Sequence, residues 1–338
     1  MNSYLLIIPL AASFFITLLL LPFWMKKAKQ IGLVWDDINK TGKQKVSGSG
    51  GIIAVLGFLV GVLIFIAYRR FYLRSDDNLI EILTLLLVAI ILAVIGFIDD
   101  LLGWQRGGLS KSSRLVLFLV ASIPLMVINA GKHIVALPFL GIVDLGLFYP
   151  LVLIPLGVIG AASTYNFLAG FNGLEAGQGI ILMAAMGFVA YFTGNSWLAI
   201  ISLCLMLALI AFLFYNFYPA RTFPGDSLTL VIGGMIATIA ILGDFERIAL
   251  FFFIPYILET ILKSRGRLAK QSFGMPKEDG TLGQRYDKIY GLTHAAIYLL
   301  EKAGVKATEK SAVYLIWGFQ ILIVLIGLLV FREGIFLI

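Results

Sequence analysis

Two adjacent carboxylates, Asp99 and Asp100, close the apolar run Ile95-Gly96-Phe97-Ile98. Neighbouring carboxylates on apolar backing repel each other and are partly desolvated, which suits a general base or a partner for a metal's charge. They can equally mark where a helix leaves a bilayer, although charges at membrane edges are functional by default. Lys111 and Arg114 follow in the same polar segment; a lysine there can hold a phosphate as a point charge or simply snorkel. The stretch from Asn166 to Gly177 has no basic residue and is rich in amides and glycines. Amides donate and accept, and glycines let a backbone approach a planar ligand; a plain helix cap and turn would look the same. Phe223-Pro224-Gly225-Asp226-Ser227 places a carboxylate where a helix should begin, as a cap or as one ligand of Mg2+. Arg265 and Arg267 can grip phosphate bidentately or anchor a helix at the membrane surface.

The elements that must position these groups are membrane helices. The 338 residues are 60% hydrophobic, with mean hydropathy +0.98, against about 45–50% apolar residues in globular domains. Hydropathy predicts ten spans, at 4–25, 50–68, 79–98, 114–130, 146–165, 178–194, 197–215, 227–243, 247–263 and 312–331. The first is read as an uncleaved span, since no basic region precedes it. Pro150 and Pro155 interrupt the fifth. Five polar loops, at 26–50, 99–113, 166–177, 216–226 and 263–311, then fall on one side and hold most of the 26 lysines and arginines. Arg69, Arg70, Arg74, Lys132, Arg247 and Arg332 fall on the other. The charge bias makes the five loops cytoplasmic. The net charge of +7 reads as topology plus attraction to anionic lipid and phosphate, not as nucleic-acid binding. Cys204 is the single cysteine, which excludes an intrachain disulfide. The segment 132–146 alternates apolar residues and predicts a short surface hairpin. Residues 292–303 show a helical pattern, so the long loop at about 264–311 is expected to fold. The expectation is a single all-α integral membrane domain over 1–338, with about ten transmembrane helices and a cytoplasmic-face active site.

Taken together and in order, Asp99-Asp100, the Asn166-to-Gly177 stretch and Phe223-to-Ser227 resemble the polyprenyl-phosphate N-acetylhexosamine-1-phosphate transferase family over nearly the whole chain. The run from Asn172 to Gln178 is most similar to the dolichyl-phosphate GlcNAc-1-phosphate transferase branch. The resemblance implies Asp226 and Asn166 as ligands of Mg2+ (or Mn2+) and Asp99 and Asp100 as the acidic pair near the lipid phosphate. It implies Lys111 as a phosphate contact and Arg265 and Arg267 as a grip on the pyrophosphate. Phe223 and Gly170 would sandwich uracil, Asn172 would bond its edge, and Glu175 belongs with the substrate-binding residues. The chain departs from the family pattern at Gly266, Ser163 and Gly103, and it lacks the histidine-rich loop of the peptidoglycan branch. It also lacks the large insertion of eukaryotic members, which points to an archaeal cell membrane; a eukaryotic member would sit in the ER membrane. The implied partners are a UDP-HexNAc and a polyprenyl or dolichyl phosphate, and a homodimer is compatible with them. The implied reaction is attack of the lipid phosphate on the sugar-linked phosphorus with release of UMP. Asp99 would orient or deprotonate the acceptor, and a covalent aspartyl-phosphate step is the alternative. The rival from another class is a multi-pass secondary transporter, but transporters place ionisable groups near the midplane. Here only Glu259 looks deeply placed. A CDP-alcohol phosphotransferase would need a repeated Asp-rich signature that the sequence lacks.

Overall fold

The computed structural model describes residues 3–42, 44–137 and 141–336. Lys43 of the first polar loop and residues 138–140, at the tip of the expected hairpin, lie outside the described residues. The helices are α1 (Ile7–Gln30), α2 (Gly51–Ala67), α3 (Leu79–Arg106), α4 (Lys111–Val127), α5 (Ile154–Tyr165), α6 (Leu174–Phe192) and α7 (Ser196–Asn216). They continue with α8 (Asp226–Leu242), α9 (Glu246–Phe252), α10 (Ile254–Arg265), α11 (Leu292–Lys302), α12 (Glu309–Val330) and α13 (Arg332–Phe336). Three antiparallel strand pairs decorate the loops: β1 (Val34–Asp36) with β2 (Lys45–Ser47), β3 (Ile134–Leu137) with β4 (Gly141–Asp144), and β5 (Met275–Pro276) with β6 (Leu282–Gly283).

Among the described residues, six helical stretches are long and apolar enough to cross a membrane: Tyr4–Gln30, Gly51–Leu73, Leu79–Gly103, Leu174–Phe192, Ser196–Asn216 and Glu309–Val330. The protein is therefore a mostly helical, multi-span integral membrane protein. Helix length alone supports six spans where hydropathy predicts ten. The other four expected spans coincide with shorter or broken helices. Tyr149–Tyr165 and Asp226–Leu242 are apolar but shorter, and α4 has 17 residues. The ninth breaks at Phe253, where Pro255 opens α10 without an N–H to continue the ladder of α9.

The third expected span ends at residue 98, yet α3 runs on to Arg106. Asp99 and Asp100 therefore lie inside a helix instead of terminating it. The stop comes at Gly107 and Gly108, both left-handed, with φ of 86° and 81°. Ser110 then starts α4 by accepting the Ser113 N–H on its hydroxyl (3.1 Å).

At the centre stands α8, in which every residue from 227 to 241 is buried. It packs against α3 and α5, with α2 and α6 also touching it. Inside a bilayer, helices associate through close packing of small residues, because lipid is as apolar as a side chain. A Cβ on Gly96 of α3 would run into the backbone of Asp226 and Ser227, and one on Gly233 would meet Ala161 of α5. Gly57 and Gly61, four apart on α2, likewise admit Thr17 and Ser13 of α1.

The first polar loop is stitched to the segment before α8. Phe223 N donates to Ser47 O (2.8 Å), and Gly50 and Gly51 donate to Phe223 O and Pro224 O (2.9 and 3.0 Å). The segment 264–311 carries β5, β6 and α11, and a capping box between Thr308 and Ser311 starts α12.

Candidate active site

A cavity of about 590 Å³ opens where these loops meet, and its walls come from five separate stretches of chain. Asp99, Asp100, Asn166, Gly170, Asn172, Glu175, Phe223 and Asp226 all line it. The structure thus brings together eight of the residues singled out from sequence.

The carboxylates form one group. Asp99 accepts the Leu109 N–H on Oδ1 (2.7 Å) and faces Arg114 Nη2 with Oδ2 (2.6 Å). Asp100 points the other way. Its Oδ1 accepts the Asp226 N–H (2.7 Å) and its Oδ2 lies 3.5 Å from the Ser227 N–H. A side chain of α3 therefore caps the N-terminus of α8, satisfying backbone donors that the helix cannot satisfy itself. Gly225 makes room, with φ of 71° and no Cβ to strike the Asp100 carboxylate. The Asp226 side chain is consequently free of capping and reaches Arg114 Nη1 (3.3 Å). One guanidinium thus stands between two carboxylates, with a third beside it. Asn166 joins the group through Oδ1, which accepts from Thr229 Oγ1 (3.1 Å).

The amide-rich turn forms a second group. Gly170, with φ of 112°, has its N–H on Glu175 Oε1 (2.9 Å) and its carbonyl on Asn39 Nδ2 (2.8 Å). Asn172 donates its N–H to Glu309 Oε1 (2.7 Å) and its side-chain NH2 to Asp37 Oδ2 (3.0 Å). The Phe273 ring lies against Gly170.

Lys111, Arg265 and Arg267 are not brought to the cavity. Lys111 is exposed at the first turn of α4. The Ser110 cap sets the phase of that helix, and Arg114 is the cation turned inward. Arg265 lines a separate cavity of about 300 Å³ with Tyr286, Lys288 and Tyr298, and Arg267 is exposed in a left-handed turn after α10. Lys263 lines the main cavity instead, its Nζ 3.7 Å from the buried carboxylate of Glu259. Glu259, the deep acid that sequence raised as a transporter feature, also accepts the Leu292 N–H that opens α11 (2.5 Å). Asp37, Asn39, Arg114, Lys263 and Glu309 are the participants that motif spacing did not select. Arg114 sat three residues from Lys111 and was legible as a competitor; the others needed contacts across more than 100 residues, or a helix phase.

Among the described residues, no group of three or more His, Cys, Asp or Glu side chains is placed to hold a metal ion. Mg2+ does not require one: it takes one or two carboxylates and completes its shell with waters and substrate phosphates. Asp226 brings one carboxylate to the cavity and Asn166 an amide, and the three carboxylates outnumber the single guanidinium among them.

The fold and the cavity define a polytopic membrane protein whose site is lined by charged and amide side chains from several loops and helix ends. The profile described as glycosyl transferase family 4 matches residues 82–244. A Sulfolobus acidocaldarius protein, provisionally named a UDP-N-acetylglucosamine–dolichyl-phosphate N-acetylglucosaminephosphotransferase, is 32% identical over 325 residues, 95% of each chain. The Dictyostelium discoideum enzyme of that name is 32% identical over 283 residues, 72% of this chain and 67% of its own. A phospho-N-acetylmuramoyl-pentapeptide-transferase of Halalkalibacterium halodurans is 33% identical over 76% of this chain and 80% of its own. The chain belongs to this family, the polyprenyl-phosphate sugar-1-phosphate transferases.

Proposed function

We propose that the protein transfers N-acetylglucosamine-1-phosphate from UDP-GlcNAc to dolichyl phosphate, releasing UMP. The observation that carries this reading is the meeting of Asp99, Asp100, Asn166 and Asp226 in one cavity with Arg114. The choice of sugar and lipid rests on the run from Asn172 to Gln178 and on the near full-length similarity to the archaeal relative. The similarity to peptidoglycan-type transferases supports the reaction class without favouring their substrate.

An oxygen of the acceptor phosphate attacks the sugar-linked phosphorus, that phosphorus parts from the bridging oxygen, and UMP leaves with the bond's electrons. Such transfers depend on positioning and charge neutralisation more than on covalent chemistry. Arg114 and Lys263, which line the cavity, take the phosphate-binding work that sequence gave to Lys111, Arg265 and Arg267. Asp99 orients the acceptor while Arg114 fixes its carboxylate. Asp100 holds α8 so that Asp226 stays turned into the cavity. Asp226 and Asn166 would hold Mg2+, which when bound offsets phosphate charge. Phe223 and Gly170 flank uracil, and Asn172 reads its edge. In this reading the chain crosses the membrane ten times, and the site opens to the cytoplasm of an archaeal cell.

The test is mass spectrometry of the lipid product after incubation of purified protein with a panel of UDP-sugars and dolichyl phosphate. The expected result is a GlcNAc-pyrophosphate lipid with equimolar UMP. A different sugar on the lipid would overturn the substrate assignment, and solute uptake into vesicles without UMP release would overturn the reaction.

A further inference from the structure

Asn172 lines the cavity, and its protein partners decide which end of its carboxamide is left for a ligand. Asp37 Oδ2 sits 3.0 Å from Asn172 Nδ2. A carboxylate only accepts hydrogen bonds, so the NH2 end must face Asp37. Asp37 is buried and ion-paired with Lys40. The backbone beneath is fixed as well: Glu309 Oε1 takes the Asn172 N–H (2.7 Å), and Asn39 spans from Gly170 O (2.8 Å) to the Gly274 N–H (3.1 Å). Among the described residues, Oδ1 is then the side-chain polar atom of Asn172 without a protein partner. It remains for a ligand, and it can only accept.

We propose that Asp37 is a specificity-determining positioning residue: by holding the Asn172 amide oxygen toward the cavity, it makes the site read a ring N–H and refuse a ring acceptor. This rests on the reading that a UDP-sugar places its base at Asn172. Uracil presents N3–H between two carbonyls. Cytosine presents a bare N3 lone pair at that position, which would oppose the lone pairs of Oδ1. Leaving two buried acceptors face to face loses the full value of a hydrogen bond and adds a desolvation penalty. If the amide could turn over, its NH2 would satisfy cytosine, and discrimination would go. Asp37 touches no ligand atom in this argument; it acts through Asn172.

The experiment is calorimetric titration of UMP and CMP into the purified full chain. Wild type, Asp37→Asn and the exchanged pair Asp37→Asn with Asn172→Asp are compared. Wild type should prefer UMP by roughly tenfold or more, the size of one mispaired hydrogen bond. Asp37→Asn, which can accept as well as donate, should bring the two affinities within about threefold, with CMP binding improved. The exchanged pair should restore the preference for UMP, because a carboxylate at 172 accepts whichever way it turns. Undiminished preference in Asp37→Asn overturns the proposal, as does an exchanged pair that binds both nucleotides alike. Should Asp37→Asn fail to fold, Asp37→Ser, which likewise accepts as well as donates and leaves the amide free to turn, is titrated in its place with the same expected loss of preference. Wild type binding neither nucleotide would remove the transferase reading itself, whereas selective wild type with equally selective Asp37→Asn removes only this inference.

Discussion

Consecutive residues on a helix point roughly 100° apart, so Asp99 and Asp100 serve different partners. One faces Arg114 and the other caps α8. Their residue types announced chemistry, but the division of labour depended on α3 continuing past them, which hydropathy could not register because Trp104, Gln105 and Arg106 are polar or amphipathic. The choice of cation was hidden for a related reason: Lys111 and Arg114 share a motif, and the Ser110 cap decides which one turns inward. Replacing Arg114 with Ala should lower kcat/KM by two to three orders of magnitude, the loss of about 2.7–4 kcal/mol typical of one charge-stabilising contact. Lys111→Ala should stay within a few-fold of wild type. Initial rates of UMP release check both, and the reverse ranking would return Lys111 to the site.

Among the elements, α8 is the one that the rest depend on. Its N-terminus is seated on Gly96 and capped by Asp100, so Gly96→Val should shift the Asp226 carboxylate and destabilise the protein by about 1–3 kcal/mol, as overpacking does. A thermal unfolding scan in detergent should show a lowered Tm together with lost activity; an unchanged Tm would mean that α3 and α8 can move apart freely. The segment 264–311 gives a prediction of different kind. Burial holds the His294 imidazole below its usual pKa, outweighing the hydrogen bond to Phe273 O that acts the other way, with Lys263 and Arg285 adding to the depression. The unfolded chain therefore binds a proton more readily than the folded one. The resulting stability is present above about pH 6.5 and is lost as pH falls through that value toward the folded pKa. Compared with wild type, His294→Gln should gain Tm at pH 5.5 relative to pH 7.5, which thermal scans of the two proteins at both pH values read directly; an identical pH dependence in the two would contradict it. The α11 helix was legible from periodicity because one face is apolar, and Leu292–Lys302 matches the pattern at 292–303. The break between α9 and α10 was not legible, because Pro255 sits in an otherwise unbroken apolar run.

At the scale of the molecule, charge distribution and helix length give unequal information. Among the described residues six helices meet the length needed to cross a membrane, while the ten-span reading rests on hydropathy and its orientation on loop charge. Several cations on the expected outer side are paired: Arg70 with Asp76, and Lys132 with Asp244 at 3.2 Å. Arg69 donates to Ser75 Oγ (3.4 Å); the charge bias counts Lys and Arg whatever their partners, so these oppose the orientation and are outnumbered by those in the five loops. The single native cysteine, Cys204, is buried, which leaves a quiet background for labelling. Cysteines introduced at Asp77 and Glu278 should react with an impermeant maleimide from opposite sides of sealed vesicles; reaction from the same side would refute the orientation. The overall architecture was readable because apolar runs dominate this chain. The loop-to-loop contacts that shape the cavity, Asn39 to Gly170 and Asn172 to Glu309, were not, since no local pattern pairs residues 131 or 137 positions apart.

Transfer requires carboxylates from α3 and α8 to meet around one site. The most direct measurement is formation of pyrophosphate-linked lipid and UMP from UDP-GlcNAc and dolichyl phosphate by wild type and by Asp226→Asn, with UMP binding followed in parallel to show that the nucleotide site is intact. The account predicts equimolar products from wild type and a fall of about a hundredfold or more in the variant, with UMP still bound. Equal turnover by the two proteins would contradict it.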